Sequence, residues 1–181
     1  MRSALRWRDV RWRAIAAGLL LIVLGGAALH RLVGGEPGVQ PPNGAMAGPE
    51  AHVSAVRRSE FDTGFEQAIV MLHARQYEHA VTALHRLLAI APEVPEVHVN
   101  MGYALLGLQR HALARDFFVG ATDLRPEQAN AYYGLAVALD ALGDRPGALG
   151  AMRSFVHLTR ADDPWLPKAR AALWEWQSGA R

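Results

Sequence analysis

Histidine is the side chain of this sequence best suited to binding a metal ion. The chain holds eight histidines, and three of them, His73, His79 and His85, lie near one another. Zinc sites on a single helix use positions i and i+4, which share one face. A six-residue spacing places these histidines on different sides of a helix, and a turn is expected between them. We therefore expect no metal site, with these side chains facing solvent or lining a groove.

The sequence shows no arrangement of residues that suggests catalysis. It contains no cysteine, so a thiolate metal site, a haem-attachment motif and a cysteine nucleophile are excluded. No Ser-His-Asp order, Gly-rich phosphate loop or convergent pair of carboxylates stands out. The GDRPG segment at 143–147 indicates a turn in which Pro146 begins the next helix. We expect that the protein is not an enzyme and needs no cofactor.

Basic charge is concentrated at the start of the chain. The formal net charge is +2, but residues 1–33 hold six arginines and a single acid, Asp9. The remaining residues are mildly acidic, with scattered arginines. Nucleic-acid-binding domains carry a basic stripe on their folded part. We therefore expect no nucleic-acid partner.

An uncharged apolar segment follows the basic residues 1–13. Residues 14–29 read AIAAGLLLIVLGGAAL, and an extension to residue 33 gives a helix of about 30 Å, enough to cross a bilayer. We predict a transmembrane helix or signal anchor at 14–33. The positive-inside rule then places the N-terminus in the cytoplasm and the rest of the chain outside.

One alternative to the membrane anchor stays open, and a second is disfavoured. A cleaved signal peptide would leave a soluble periplasmic protein, since Gly26, Ala27 and Ala28 are small enough for a peptidase. A buried core helix is disfavoured because no polar residue interrupts the segment. The basic residues are almost all arginine and Ala, Gly and Leu are abundant, which suggests a GC-rich bacterial genome. The predicted location is therefore the bacterial inner membrane, with the folded part in the periplasm.

Residues 34–60 are predicted to be a flexible linker. Nine of the sixteen residues in 34–49 are Gly or Pro, and such a segment cannot bury enough apolar surface to offset its ordering entropy. Its root-mean-square span is on the order of 25 Å. The segment 51–58 could add a helical turn, but its pattern is too weak to assign.

A period of thirty-four residues runs through the rest of the chain. Four series share this spacing: Ala80, Ala114 and Ala148; Ile90, Leu124 and Leu158; Met71, Leu105 and Leu139; and Ala68, Gly102 and Ala136. Such a period is typical of stacked arrays, in which each unit buries its apolar face against its neighbours. Apolar residues at three- and four-residue steps predict two antiparallel helices in each unit. Small residues allow close approach of the helices, so we expect Gly102 to face Ala114.

The unit resembles the tetratricopeptide repeat. The middle unit carries the best match to the pattern of that family: Met101, Gly102, Leu105, Ala114, Phe118, Ala121 and Pro126. The resemblance covers 61–162 and implies an all-α solenoid of three helical hairpins at 61–94, 95–128 and 129–162. With the preceding segments, the predicted fold is an N-terminal transmembrane helix, a flexible linker, the solenoid and a capping helix with its tail at 163–181.

The capping helix is predicted from a fourth unit that stops halfway. Arg170 occupies the small-residue position, where it would prevent a closely packed partner helix. Either Pro164, with Asp163 as N-cap, or Pro167 begins this helix. Because its three tryptophans cannot all face one neighbour, at least one is expected to be partly exposed: Trp165, Trp174 and Trp176.

In the tetratricopeptide family the first helices of the units line a concave groove. By this resemblance the predicted binding residues are Phe65, Ile69, Leu72, Val99, Asn100, Tyr103, Leu106, Asn130, Tyr133 and Val137. None is basic, so a clamp for a C-terminal carboxylate is not expected. We expect Phe65, Tyr103 and Tyr133 to anchor an apolar partner segment, and the fold to survive the loss of both tyrosines. Asn100 could hydrogen-bond the backbone of the partner.

The resemblance and the predicted anchor together suggest a function. We expect a membrane-anchored scaffold of the bacterial envelope with a protein or peptide partner. The alternative is a periplasmic chaperone-like assembly factor, for example in cytochrome c maturation or in the assembly of exported proteins. The groove could instead be filled by the chain's own segment 51–60 or by a second copy, so self-association stays open.

Overall fold

The computed structural model describes residues 49–179, which form seven α-helices and no strand. The helices are α1 (Pro49–His73), α2 (Tyr77–Ile90), α3 (Pro95–Gly107), α4 (His111–Leu124), α5 (Ala129–Ala141), α6 (Arg145–Leu158) and α7 (Leu166–Ser178). Within 49–179, no helix combines the length and the apolar character needed to cross a membrane. The basic segment 1–13 and the predicted membrane helix 14–33 lie outside the described residues.

Two compact units divide the chain, Met1–Gln67 and Ala68–Arg181, and their boundary falls within α1. In the first unit, the rings of Phe61 and Phe65 stack, with centroids 6.1 Å apart. Helix α1 begins at Pro49, so the predicted linker boundary at residue 60 is corrected. The Gly/Pro-rich composition ends at Pro49, which is tolerated in the first turn of a helix, and residues 50–60 contain neither Gly nor Pro.

The helix boundaries of the second unit repeat at the period of the sequence. The second helices α2, α4 and α6 begin at Tyr77, His111 and Arg145, thirty-four residues apart, and all three have the same length. Each helix from α2 to α6 packs on the helix that follows it, and α3 also packs on α5. Contact between the first helices of consecutive units is the arrangement of a helical solenoid. The prediction of an all-α array of stacked hairpins is therefore confirmed for this part of the chain.

The turns inside the hairpins have one repeated geometry. Arg75, Gln109 and Gly143 occupy equivalent positions and have positive φ angles of 58°, 60° and 84°. The amide that follows each of them donates to a carbonyl five residues earlier, at 2.8–2.9 Å. This is the Schellman motif, which satisfies the last carbonyls of a helix through one left-handed residue. Only the third turn uses glycine, the residue that adopts this conformation without a steric cost.

The side chain of Phe118 packs against two neighbouring first helices. It is fully buried on α4, and its ring meets that of Tyr103 edge-on at 5.0 Å. A Cβ atom at Gly102 on α3 would lie 2.7 Å from this ring, and one at Gly134 on α5 would also overlap it. The ring of Phe118, and not Ala114, therefore supplies the atoms nearest to Gly102. Glycine is required at both positions because this ring fills the space that a side chain would need.

One of the periodic apolar series lies at the surface. Ile90, Leu124 and Leu158 are the last residues of the second helices, and all three are exposed. Leu113, which continues the apolar stripe of α4 in the sequence, is exposed as well. The period thus identifies equivalent positions correctly, but it does not show which of them are buried.

The structure confirms the short final helix and the mixed exposure of its tryptophans. Helix α7 begins at Leu166 and has Pro167 in its first turn. Of the two prolines considered, Pro167 therefore marks the start of the helix, and Pro164 lies before it. Trp165 and Trp176 are buried, whereas Trp174 is exposed. Asp163 accepts a hydrogen bond from the amide of Trp165 at 2.7 Å and so fixes the turn that precedes the helix.

We predict that Gly134→Ala destabilises the protein by about 1–3 kcal/mol, because its methyl group would overlap the ring of Phe118. Gly150→Ala is the matched control. Gly150 lies within α6, and a Cβ there meets no atom within 4 Å, so alanine should stabilise the helix by up to about 1 kcal/mol. Urea unfolding of the two variants should show midpoints shifted in opposite directions. Shifts in the same direction would contradict the packing described for Phe118.

Candidate functional site

Polar side chains link α3 to α5 along the first helices. The guanidinium of Arg125 donates to Glu96 of α3 and, at 3.0 Å, to Oε1 of Gln128. Gln128 in turn donates to Oδ1 of Asn130 at 2.8 Å, and the hydroxyl of Tyr103 donates to the backbone carbonyl of Asn130 at 2.8 Å. These contacts fix the position of α5 relative to α3, and they order the predicted binding residue Asn130.

The predicted binding residues lie on α1, α3 and α5. We call the members on α3 and α5 the first-helix face: Val99, Asn100, Tyr103, Leu106, Asn130, Tyr133 and Val137. All of them are buried except Asn130, which is half-buried. On α1, Leu72 is buried and Ile69 is half-buried, while the half-buried Phe65 belongs to the first unit. The structure brings the α3 and α5 members together, but it does not present them as an open surface, and their contact with a partner stays a prediction.

Tyr103 is a core residue. Its side chain is 1% exposed, its ring packs on Phe118, and its hydroxyl is held by the carbonyl of Asn130. Burial raises the pKa of its phenol well above 10, and the nearby Tyr133 and Asp163 act in the same direction. A phenol in this position stays neutral at physiological pH and serves as a hydrogen-bond donor inside the array.

Tyr133 occupies a similar environment one unit later. It is 5% exposed, and its ring meets those of Phe155 at 5.2 Å and Trp165 at 5.5 Å, both edge-on. Burial raises the pKa of its phenol to about 12. Truncation of a buried aromatic side chain to alanine costs about 3–5 kcal/mol. The expectation that the fold survives the loss of both Tyr103 and Tyr133 is therefore corrected.

Asn100 is the buried polar residue of this face. Its Nδ2 donates to the carbonyl of Glu96 at 2.7 Å, and the side chain is 6% exposed. Its Oδ1 accepts no hydrogen bond from the part of the chain that the structure describes. The atom could accept a hydrogen bond from the backbone of a partner, as predicted, if the surrounding side chains moved apart.

The histidines have separate environments. His85 and His79 are exposed and His73 is half-buried. His98, which takes the first aromatic position of the middle repeat, contacts the ring of Phe117, and its Nε2 lies 2.7 Å from the carbonyl of Pro92. Since a carbonyl can only accept, Nε2 carries the proton in this contact. Among residues 49–179, no group of three His, Cys, Asp or Glu side chains is arranged to hold a metal ion.

Sequence reasoning missed the polar contacts of this region. The contacts of Arg125 and Gln128 join residues up to 29 positions apart, and no pattern in the sequence predicts such a connection. The exposure that was expected for at least one of the three C-terminal tryptophans falls on Trp174.

Comparison with known proteins establishes the fold. No protein-family model and no curated protein matches the sequence. The translocator chaperone SycD of Yersinia enterocolitica superimposes with a TM-score of 0.67 at 10% identity, over 72% of this chain and 94% of SycD. A second structure of SycD holds a peptide of the translocator YopD.

Two further structures are of domains named for the repeat. The TPR2B domain of yeast Sti1, solved as a complex with pHsp70, has a TM-score of 0.62 at 16% identity, over 67% of this chain and 98% of that domain. The TPR domain of Sgt2 from Aspergillus fumigatus has a TM-score of 0.57 at 22% identity, over 67% of this chain and 84% of that domain. At these identities the likeness shows the fold alone. The described helices thus have a tetratricopeptide-type fold.

We predict that Tyr103→Phe lowers the free energy of unfolding by about 1 kcal/mol, because it removes the hydroxyl that donates to the carbonyl of Asn130. Tyr133→Phe is the matched control. Its hydroxyl makes no hydrogen bond within 49–179, so the change should stay within about 0.5 kcal/mol. Chemical unfolding of both variants tests this prediction. Equal losses would mean that the hydrogen bond of Tyr103 does not stabilise the junction between α3 and α5.

Proposed function

We propose that the protein is a non-enzymatic interaction module that holds a protein or peptide partner. The observation that carries this proposal is the array itself, in which hairpins of equal length stack so that α3 contacts α5. Arrays of this kind present an extended surface, and binding is the function that such surfaces support. The apolar and aromatic composition of the first-helix face suits an apolar segment of the partner.

The proposal extends to the membrane. Residues 14–33 would anchor the protein in the bacterial inner membrane, and the linker would hold the array in the periplasm close to the bilayer. A scaffold in this position would bring a partner to other components of the envelope.

A chaperone-like assembly factor is the second candidate. Structures that share the fold include a translocator chaperone with a peptide of its translocator and a domain in complex with pHsp70. The peptide complex of SycD supports a partner bound as a short segment. A scaffold should retain a folded partner, whereas a chaperone should prefer the same partner after unfolding in urea.

Burial decides where a partner can first touch the predicted residues. Among the predicted binding residues of the second unit, Ile69 and Asn130 are half-buried and all the others are buried. Asn130 already bonds to Gln128 and Tyr103, so Ile69 is the better position for a probe. The buried members would contribute only if the partner moved the first helices apart.

Photo-crosslinking in native membranes tests the interaction. We predict that p-benzoylphenylalanine at Ile69 gives a discrete adduct with a partner protein, because Ile69 is one of the predicted binding residues and its side chain is partly exposed. The same probe at Arg153, which is exposed on α6, is the control. Adducts from Arg153 alone would indicate that the partner binds near α6 and not at the predicted binding residues. No adduct from either position would count against an interaction module.

A reporter fusion tests the predicted anchor. An enzyme that is active only outside the cytoplasm, fused after Arg181, should be active because the charge bias of residues 1–33 favours an internal N-terminus. The protein should also stay in the membrane fraction after an alkaline wash. Activity of a cytoplasmic reporter at the same position would contradict this topology. A mature N-terminus near Ala28 or Leu29 would replace the anchor with a cleaved signal peptide.

A further inference from the structure

Trp174 has the most exposed large hydrophobic side chain in residues 56–179. It is 73% exposed, more than any aliphatic side chain whose exposure the structure describes. The opposite side of α7 is buried through Leu166, Ala169 and Trp176, and α7 packs on α6. Trp174 therefore points away from the array, and the fold alone does not account for a tryptophan at this position.

The residues around Trp174 form one continuous exposed face of α7, which we call the cap face: Pro167, Arg170, Ala171, Trp174 and Ser178. All five are exposed, and their spacing of three or four residues places them on one side of a helix. Arg170 lies one turn before Trp174 and forms no ion pair with any residue in 49–179. Tryptophan and arginine are two of the residue types most enriched among those that dominate binding energy in protein interfaces.

The cap face continues the register of the predicted binding residues. Leu72, Leu106, Asp140 and Trp174 are spaced at thirty-four residues, so Trp174 takes the position that binding residues take in the first two units. Leu72 and Leu106 are buried. At Trp174 the equivalent position is exposed.

We propose that the cap face is the docking site for a short partner segment that carries an apolar side chain for Trp174 and a carboxylate one turn away for Arg170. Charge supports this partner chemistry, since Lys168 and Arg170 outnumber the one acid of α7, Glu175. The ammonium of Lys168 is held over the ring of Trp165 at 4.3 Å. This inference rests on the proposed function and assigns a surface and a partner chemistry to it.

The size of the cap face favours a short segment over a second copy of the chain. A helix of 13 residues is about 20 Å long and about 10 Å wide. Such a face is much smaller than the roughly 800 Å² that each partner buries in a stable interface. A short acidic and apolar segment can use it, whereas a stable dimer would need additional surface.

The test uses the full chain in detergent micelles and random twelve-residue peptides displayed on phage. Peptides enriched on the wild type should share an apolar residue three or four positions from Asp or Glu. For a synthetic peptide of that consensus, Trp174→Ala should raise the Kd about 30-fold and Arg170→Glu about fivefold. A peptide with Lys in place of its acid should recover binding to the Arg170→Glu variant.

Two variants serve as matched controls. Leu142→Ala removes another exposed apolar side chain and Arg153→Ala another exposed arginine, neither of them part of the cap face, and the Kd should change less than twofold. Circular dichroism should be unchanged in all four variants, because each side chain is exposed.

Each alternative outcome has a defined meaning. Enriched peptides that bind Trp174→Ala as well as wild type would overturn this inference but leave the proposed function standing. Consensus peptides without an acid would overturn the role of Arg170. Self-association that increases with concentration and is lost in Trp174→Ala would identify a second copy as the occupant and overturn the partner chemistry. No enrichment over bare micelles would overturn both this inference and peptide binding by the array.

Discussion

The contact of one phenylalanine ring with two glycines is the constraint on which the array depends. Phe118 of α4 fills the space beside Gly102 of α3 and Gly134 of α5, so a single ring joins a hairpin to the next unit. Because the ring is fully buried, neither helix can shift without opening a cavity or overlapping it. Tyr103 packs edge-on against the same ring and bonds to α5, which adds a directional contact to the packing.

The turns explain why the period is so regular. Each hairpin closes through one residue with a positive φ angle, at Arg75, Gln109 and Gly143. The period of the sequence, together with Pro146 at a helix start, predicts the helix boundaries of the repeats closely. Arg75 and Gln109 give no local sign of a left-handed turn, since non-glycine residues rarely adopt it. In each turn the left-handed residue is followed by an amide that donates to a carbonyl five residues earlier, and this hydrogen bond stabilises the conformation.

The sequence could not predict which side chains of the first helices are exposed, and the reason is physical. In α3, every residue in 99–106 is buried, so the helix has no polar side that would reveal its orientation. The second helix α4 buries only Ala114, Phe118 and Ala121, so it has a buried and an exposed side, although Leu113 and Leu124 of its apolar stripe lie on the exposed side. The predicted binding residues were placed on the first helices by resemblance, and the burial of Tyr103 and Tyr133 follows from contacts with residues far along the chain.

The exposed side of α7 carries an arginine and a tryptophan one turn apart. Arg170 takes the position where Gly102 and Ala136 allow close packing in earlier units, and a side chain of this length does not allow another helix to approach in the same way. In the described residues this side of α7 is exposed at both Arg170 and Trp174. An arginine alone would suffice to keep such a side hydrated. A tryptophan one turn later does not serve that purpose, because its exposed ring lowers solubility, and this is why the cap face is better explained by binding than by capping alone.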